Sequence, residues 1–197
     1  GKMFHAFTEE ETNSLKELML CRRPNWEILF RLYHDQKLNP MSFLRSEEFL
    51  NILTECCIKD YPYTPFADAF HTMRSMLLPV LYLMGSEVPK ADVYHAICTG
   101  YGGLLACLGG HVYKKKVLLT EHGIYTRERE EEIIRAKWVQ PAFKKQWISF
   151  FYMLSDIIYT RAFLVSALFT NAMHAQIQMG CDKGKCRVVE NLSLIHI

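Results

Sequence analysis

Apolar and polar residues follow two different rhythms along this chain, and the change falls near residue 90. Upstream the spacing is helical. Trp26, Leu29, Phe30 and Tyr33 stand at i, i+3, i+4 and i+7 behind Pro24, a residue suited to a helix start. Phe49, Leu50, Leu53 and Cys57 repeat the spacing, with Ser46 in place to cap them. Tyr61-Pro62-Tyr63-Thr64-Pro65 is a break, because each proline turns its predecessor away from helix. A further helix is predicted from Phe66 to Leu78, with Pro79 interrupting it. The block is expected to be mainly helical and to hold no site.

From Ala91 onward short apolar runs alternate with helical ones. Ala91–Ile97 reads as a strand, Gly100–Val112 as a helix and Lys116–Thr120 as the next strand. Thr126–Lys137 is a charged helix, and Pro141 opens another that is rich in aromatics. Phe163–Ala167 is a third strand, Asn171–Met179 a helix ended by Gly180, and Arg187–Val189 a fourth strand. Such alternation predicts an α/β fold, a Rossmann-like parallel sheet with flanking crossover helices behind a helix-rich first half. Trp147, Phe150, Phe151, Leu154, Ile157 and Ile158 form a wide helical stripe that reads as core. Ile148, Tyr152 and Tyr159 lie off it, which fits either a helix buried nearly all round or a docking surface for another domain.

The run Val117-Leu118-Leu119 reads as a strand buried on both faces. It breaks at Gly123, and Thr126 stands where an N-cap for the charged helix is expected. Glu121, His122 and Gly123 are thereby placed just past the carboxyl end of a strand, where open α/β sheets bind ligands. His122 is a hydrogen-bonding group for a ligand in a cleft or, alternatively, a turn histidine bonded to nearby backbone. Glu121 reads as a general base or hydroxyl acceptor, or else as a solvated carboxylate paired with Arg127 or Arg129. Those arginines belong to a mixed charge run, normally a wet helix face, yet they follow the loop closely enough to reach an anion at the helix start. Thr99-Gly100-Tyr101-Gly102-Gly103 follows the first strand and opens a helix, so its backbone N–H groups can approach a phosphate or sugar, or its glycines serve tight packing. His95, just before it, either lines the same crevice or is a satisfied core histidine.

Composition narrows the classes. The chain has 197 residues, half of them apolar, enough for one compact domain. Twenty-three basic and twenty-one acidic residues leave a net charge of +2, which speaks against nucleic acid as a partner. No apolar stretch approaches the roughly 20 residues of a spanning helix. Seven cysteines without framework spacing read as reduced thiols. Cys181 and Cys186 would need two further ligands to hold a metal, and His174 is the one candidate nearby, so no metal site is expected. The start at Gly1-Lys2, without an initiator methionine, reads as a cut. Leu192–Ile197 reads as the translation of a sequencing adapter and is set aside.

The wording Thr120-Glu121-His122-Gly123-Ile124-Tyr125-Thr126-Arg127-Glu128-Arg129 resembles that of the PelF-type glycosyltransferases, members of glycosyltransferase family 4 that serve exopolysaccharide synthesis. The resemblance extends through Tyr94–Ala106 and, more loosely, through Trp138, Trp147–Tyr159 and Gln176–Gly180. It implies that residues 1–191 are the partial amino-terminal, acceptor-side domain of a GT-B enzyme, a helical segment 1–90 before a βαβ core 91–191. In that family a segment like Arg187–Asn191 runs on into a second Rossmann domain; here Glu190 stands where proline is expected, and the likeness ends at Asn191.

The resemblance further implies a cytoplasmic enzyme that moves a sugar, with retention, from a nucleotide-sugar donor (UDP-linked by expectation) to a saccharide acceptor. It implies no cofactor and no metal, a missing carboxy-terminal domain, and service to a membrane-associated polysaccharide synthesis complex. His122 and Glu121 are its expected catalytic residues, with His95, Thr99, Gly100, Tyr101, Gly123, Arg127 and Arg129 binding substrate. The groups gripping the donor phosphates are expected beyond Asn191 and an early glycine loop before Gly1, so the chain alone is expected to be inactive. The contrasting expectation is a non-catalytic α/β domain that binds a ligand or a protein. Convergence of His95, Thr99 and His122 on one side of the sheet is what separates the two. A hydrolase is disfavoured, since Gly-x-Ser-x-Gly is absent and neither Ser86 nor Ser155 sits in an elbow.

Overall fold

A computed structural model of the chain describes residues 5–190. The Gly1-Lys2 start, the end of the family likeness at Asn191 and the tail 192–197 lie outside the described residues. Within them the chain forms two compact units, residues 5–87 with Arg135–Phe150, and Val88–Ile134 with residues 151–190.

The first unit is helical. Helix α1 (Glu9–Met19) opens with a capping box, in which Thr8 Oγ1 accepts from the Glu11 N–H at 3.2 Å and the Thr8 N–H donates to the Glu11 carboxylate at 3.0 Å. Helix α2 (Trp26–Phe30) is capped by Asn25 and continues as a π-helical turn, Arg31–Asp35, which the 3.6-residue spacing through Tyr33 did not foretell. After the short α3 (Met41–Leu44), Ser46 caps α4 (Glu47–Asp60) by accepting from the Phe49 N–H, as its position predicts. Helix α5 (Phe66–Met84) runs straight through Pro79, where an interruption was expected. Pro79 stands on an exposed face, so the Ser75 carbonyl it cannot serve is open to water, while buried Met76, Leu77, Val80, Leu81 and Met84 hold both halves to the core. Residues 135–150 return to this unit, where Gln146 Nε2 donates to the Met19 carbonyl at 2.9 Å and Phe143 meets Tyr61 at 4.9 Å between ring centres.

The second unit is an α/β Rossmann-like layer. Strands β1 (Val93–Ala96), β2 (Lys116–Glu121), β3 (Leu164–Ala167) and β4 (Cys186–Val188) form one parallel sheet in the order β1-β2-β3-β4. Helix α6 (Gly100–Tyr113) crosses from β1 to β2; α7 (Tyr125–Arg135) and α8 (Lys144–Arg161) lie between β2 and β3; α9 (Thr170–Gln178) leads to β4. Three crossovers in one direction, each right-handed by the usual rule, put their helices on one face. Side chains report the same. A Cβ at Gly109 of α6 would strike the Tyr94 ring, so only a bare backbone lets the helix lie this close to β1. Tyr94, Ala96, Val117, Leu119, Glu121, Val165 and Ala167 are all buried on that face.

The alternate residues tell against a strand buried on both sides. His95 and Lys116 are exposed, Leu118, Thr120 and Leu164 are half-buried, and only the small Ser166 beside Thr120 is buried among these. The apolar run 117–119 therefore belongs to a sheet covered on one face, and Leu118 is its exception. In α8, Phe150, Leu154, Ile157 and Ile158 are at most 1% exposed and Ser155 and Tyr159 are equally hidden, so this helix is core nearly all round over its later turns.

Candidate functional site

Because the strands are parallel, the residues after β1, β2 and β3 all emerge at the same rim of the sheet. After β1 the chain turns at Gly100, whose φ of +70° is comfortable for glycine alone, and enters α6. After β2 it turns at His122-Gly123 and enters α7. These two turns touch, since a Cβ at Gly100 would lie 2.5 Å from Cε1 of Tyr125.

Thr126, predicted as the cap of α7, is instead one residue inside a helix that starts at Tyr125. The Ile124 carbonyl accepts the first helical N–H groups, from Arg127 and Glu128, and Thr126 is fully buried. Its hydroxyl is bonded to Ser155 Oγ of α8, which also lies 2.9 Å from Thr99 Oγ1 and 3.1 Å from the Phe151 carbonyl. Thr99 thus looks inward, tying the β1 turn to α8 and α7 through a chain of three hydroxyls, and its oxygen is not offered to a ligand.

Glu121 also looks inward. It is 1% exposed, and its Oε2 accepts from the Tyr159 hydroxyl at 2.7 Å and from Gln176 Nε2 at 2.9 Å. Burial raises its pKa; the bonds from Tyr159 and Gln176 and the Tyr125 backbone N–H pull the other way, and the Glu128 charge adds to the rise. Glu121 Oε1 has no side-chain partner, and neither does the buried Gln176 Oε1. Neither arginine is the partner of Glu121. Arg127 reaches Gln178 at 3.4 Å, and Arg129 pairs with Glu132 at 2.5 Å while its guanidinium lies 5.3 Å from the Tyr125 ring centre.

His122 is exposed at the rim. Gly123 beside it is covered by Glu128, whose carboxylate turns back over the start of α7 and takes the space a Cβ would need. Tyr101 is half-buried, and burial first, then Tyr125, pushes its hydroxyl up to about 12.

His95 is not a core histidine. It is exposed on the face of the sheet away from the helices, and its Nε2 lies 2.8 Å from Thr120 Oγ1, which in turn lies 2.7 Å from Ser166 Oγ. His95, Thr99 and His122 therefore share a rim but point three ways: to the open face, into the helix layer, and outward to solvent.

Tyr159, Gln176, Ser155 and the Thr120–Ser166 pair went unread as site residues in the sequence. A tyrosine off the apolar stripe of α8 and a glutamine in the middle of α9 were the available signals. Cys181 and Cys186 lie with their sulfurs 3.4 Å apart, and burial above all drives the Cys181 thiol up to about 12. Among the described residues no group of three or more histidine, cysteine, aspartate or glutamate side chains is placed to hold a metal ion. No helix among them is long and apolar enough to cross a membrane.

Fold and rim together define an α/β Rossmann-like domain with an outward histidine on a braced pair of turns. A family model described as a domain of unknown function (DUF3492) matches residues 2–184. The chain belongs to that family. No curated protein and no solved structure matches it.

Proposed function

We propose that this chain is the acceptor-side part of a retaining, PelF-type glycosyltransferase of the GT-B class. In this reading the sugar comes from a nucleotide-sugar, UDP-linked by preference, and the product is an exopolysaccharide made at the cytoplasmic side of a membrane-associated complex. The observation that carries the reading is His122. It follows a parallel strand at the rim where open α/β sheets bind ligands and stands exposed in the turn that leads to Tyr125, in the wording that resembles this family. The imidazole supplies a hydrogen-bonding group to a sugar hydroxyl near the reacting centre. Glu121 serves behind it as a positioning residue, since its carboxyl is buried and engaged. In this reading the donor phosphates fall mainly to a following domain, with Arg127 exposed at the start of α7 as an auxiliary contact.

The test is transfer of radiolabelled sugar from UDP-sugars by the full reading frame, with and without His122→Ala. Loss of at least 100-fold in kcat/KM on that substitution, about 2.7 kcal/mol, is expected, together with no turnover by the 197-residue chain alone. A fully active His122→Ala enzyme would overturn the assignment.

The divergence of His95, Thr99 and His122 favours a second reading, a domain that binds a ligand or protein without catalysing anything. Under it, no UDP-sugar is turned over by the full reading frame, and His122→Ala changes binding only.

A further inference from the structure

The helical unit carries a second concavity, which shares no residue with the sheet rim. Along α5, Asp68, His71, Thr72 and Ser75 stand at i, i+3, i+4 and i+7, a polar stripe on the side away from buried Ala69, Met73 and Met76. Opposite the stripe run residues 138–147, also of the first unit. Between them is a cleft of about 210 Å³, walled by Trp138, Trp147 and Gln140 and floored by buried Val139 and Phe143. Trp138 is 66% exposed, and its ring meets Trp147 edge to face at 5.8 Å between centres. A tryptophan that packs against another yet leaves two-thirds of its surface in water keeps a large apolar plate available. Here that plate borders a row of hydrogen-bonding groups.

We propose that this cleft is a saccharide-binding subsite: an uncharged pyranose stacks on Trp138, with its hydroxyls taken by Asp68, His71 and Gln140. The chemistry selects this class. A pyranose has one face of C–H groups and a perimeter of hydroxyls, matching an aromatic plate edged by carboxylate, imidazole and amide. Among the described residues lining the cleft none is a lysine or arginine, and Asp68 would repel a phosphate, so a nucleotide diphosphate is disfavoured. The volume, below the roughly 300–1,000 Å³ of drug-sized pockets, accommodates a single sugar ring. The inference rests on the transferase reading and deepens it by giving a saccharide acceptor a hold on the helical unit.

Tryptophan fluorescence of the full chain, titrated with cellotetraose, maltotetraose and an N-acetylglucosamine tetramer, tests it. Saturable change with at least one of these is expected in the millimolar range. Trp138→Ala and Asp68→Asn should each weaken binding at least tenfold, and Trp138→Phe, which keeps a ring, should weaken it less. His122→Ala should leave it within twofold, and UDP should not compete. Near-UV circular dichroism of each variant, matched to the parent outside the lost tryptophan band, separates a lost contact from a lost fold. The proposal is overturned by no saturable change with any of the three, by binding that survives Trp138→Ala, or by competition from UDP. Sugar binding here without any transfer would sink the transferase reading alone; transfer without sugar binding here would sink the subsite alone.

Discussion

The ring of Tyr125 occupies the space that a side chain at residue 100 would need, with Cε1 2.5 Å from where a Gly100 Cβ would stand. Two turns that follow different strands are thereby locked face to face, and the outward histidine is carried on one of them. Gly100→Ala suffers twice, once from its φ of +70° and once from the ring. Together these should cost at least about 2 kcal/mol, read as a lowered urea midpoint. Pairing it with Tyr125→Ala should give a combined loss smaller than the sum of the two single losses, because the clash is removed. Strict additivity would mean that the ring and the turn do not touch.

The Glu121 carboxyl should leave a signature in the pH dependence of stability. Its pKa is raised in the folded chain above the ordinary 4.5, chiefly by burial. Its contribution is therefore fully present below the unfolded pKa and fades as pH rises through the folded one. Glu121→Gln removes that titration. The stability of the parent relative to this variant should fall as pH is raised from 4.5, with a slope of up to about 1.4 kcal/mol per pH unit. Urea melts of both proteins across the acid-to-neutral range measure it, and a rising difference would contradict the assignment.

Ser155 is a small polar residue on the buried side of α8, and its hydroxyl bridges Thr99 and Thr126. Ser155→Ala strands both threonine oxygens in a buried place. The expected loss is about 1–3 kcal/mol, measurable by thermal or urea unfolding, with faster amide hydrogen exchange at the Gly100 turn. A neutral substitution would mean that the hydroxyl chain braces nothing.

His122 behaves oppositely. Its side chain is exposed, so His122→Ala should change stability by no more than about 0.5 kcal/mol. A drop in melting temperature as large as that of Ser155→Ala would identify a structural histidine and remove the main support for a catalytic one.

Periodicity alone sufficed for the strand–helix alternation after residue 91, the parallel class of the sheet, the Ser46 cap and the placing of His122 past a strand end. These are local properties, written in spacings of two and 3.6 and in the turn residues between them. Partnership across the sequence had to wait for the fold. Thr126 fits a cap by its place before a charged run, but Ser155, twenty-nine positions away, draws its hydroxyl into the core. The same applies to Glu121, which finds Tyr159 and Gln176, and to His95, which finds Thr120 on a face left open. Leu118 could not be told from its buried neighbours, since coverage of a sheet face depends on the direction of three successive crossovers and not on the strand itself. The helix through Pro79 and the return of residues 135–150 to the helical unit have the same origin. Short-range patterns decide which elements form; only packing decides which atoms of those elements meet, and in this protein the meetings set what the rim and the tryptophan cleft can hold.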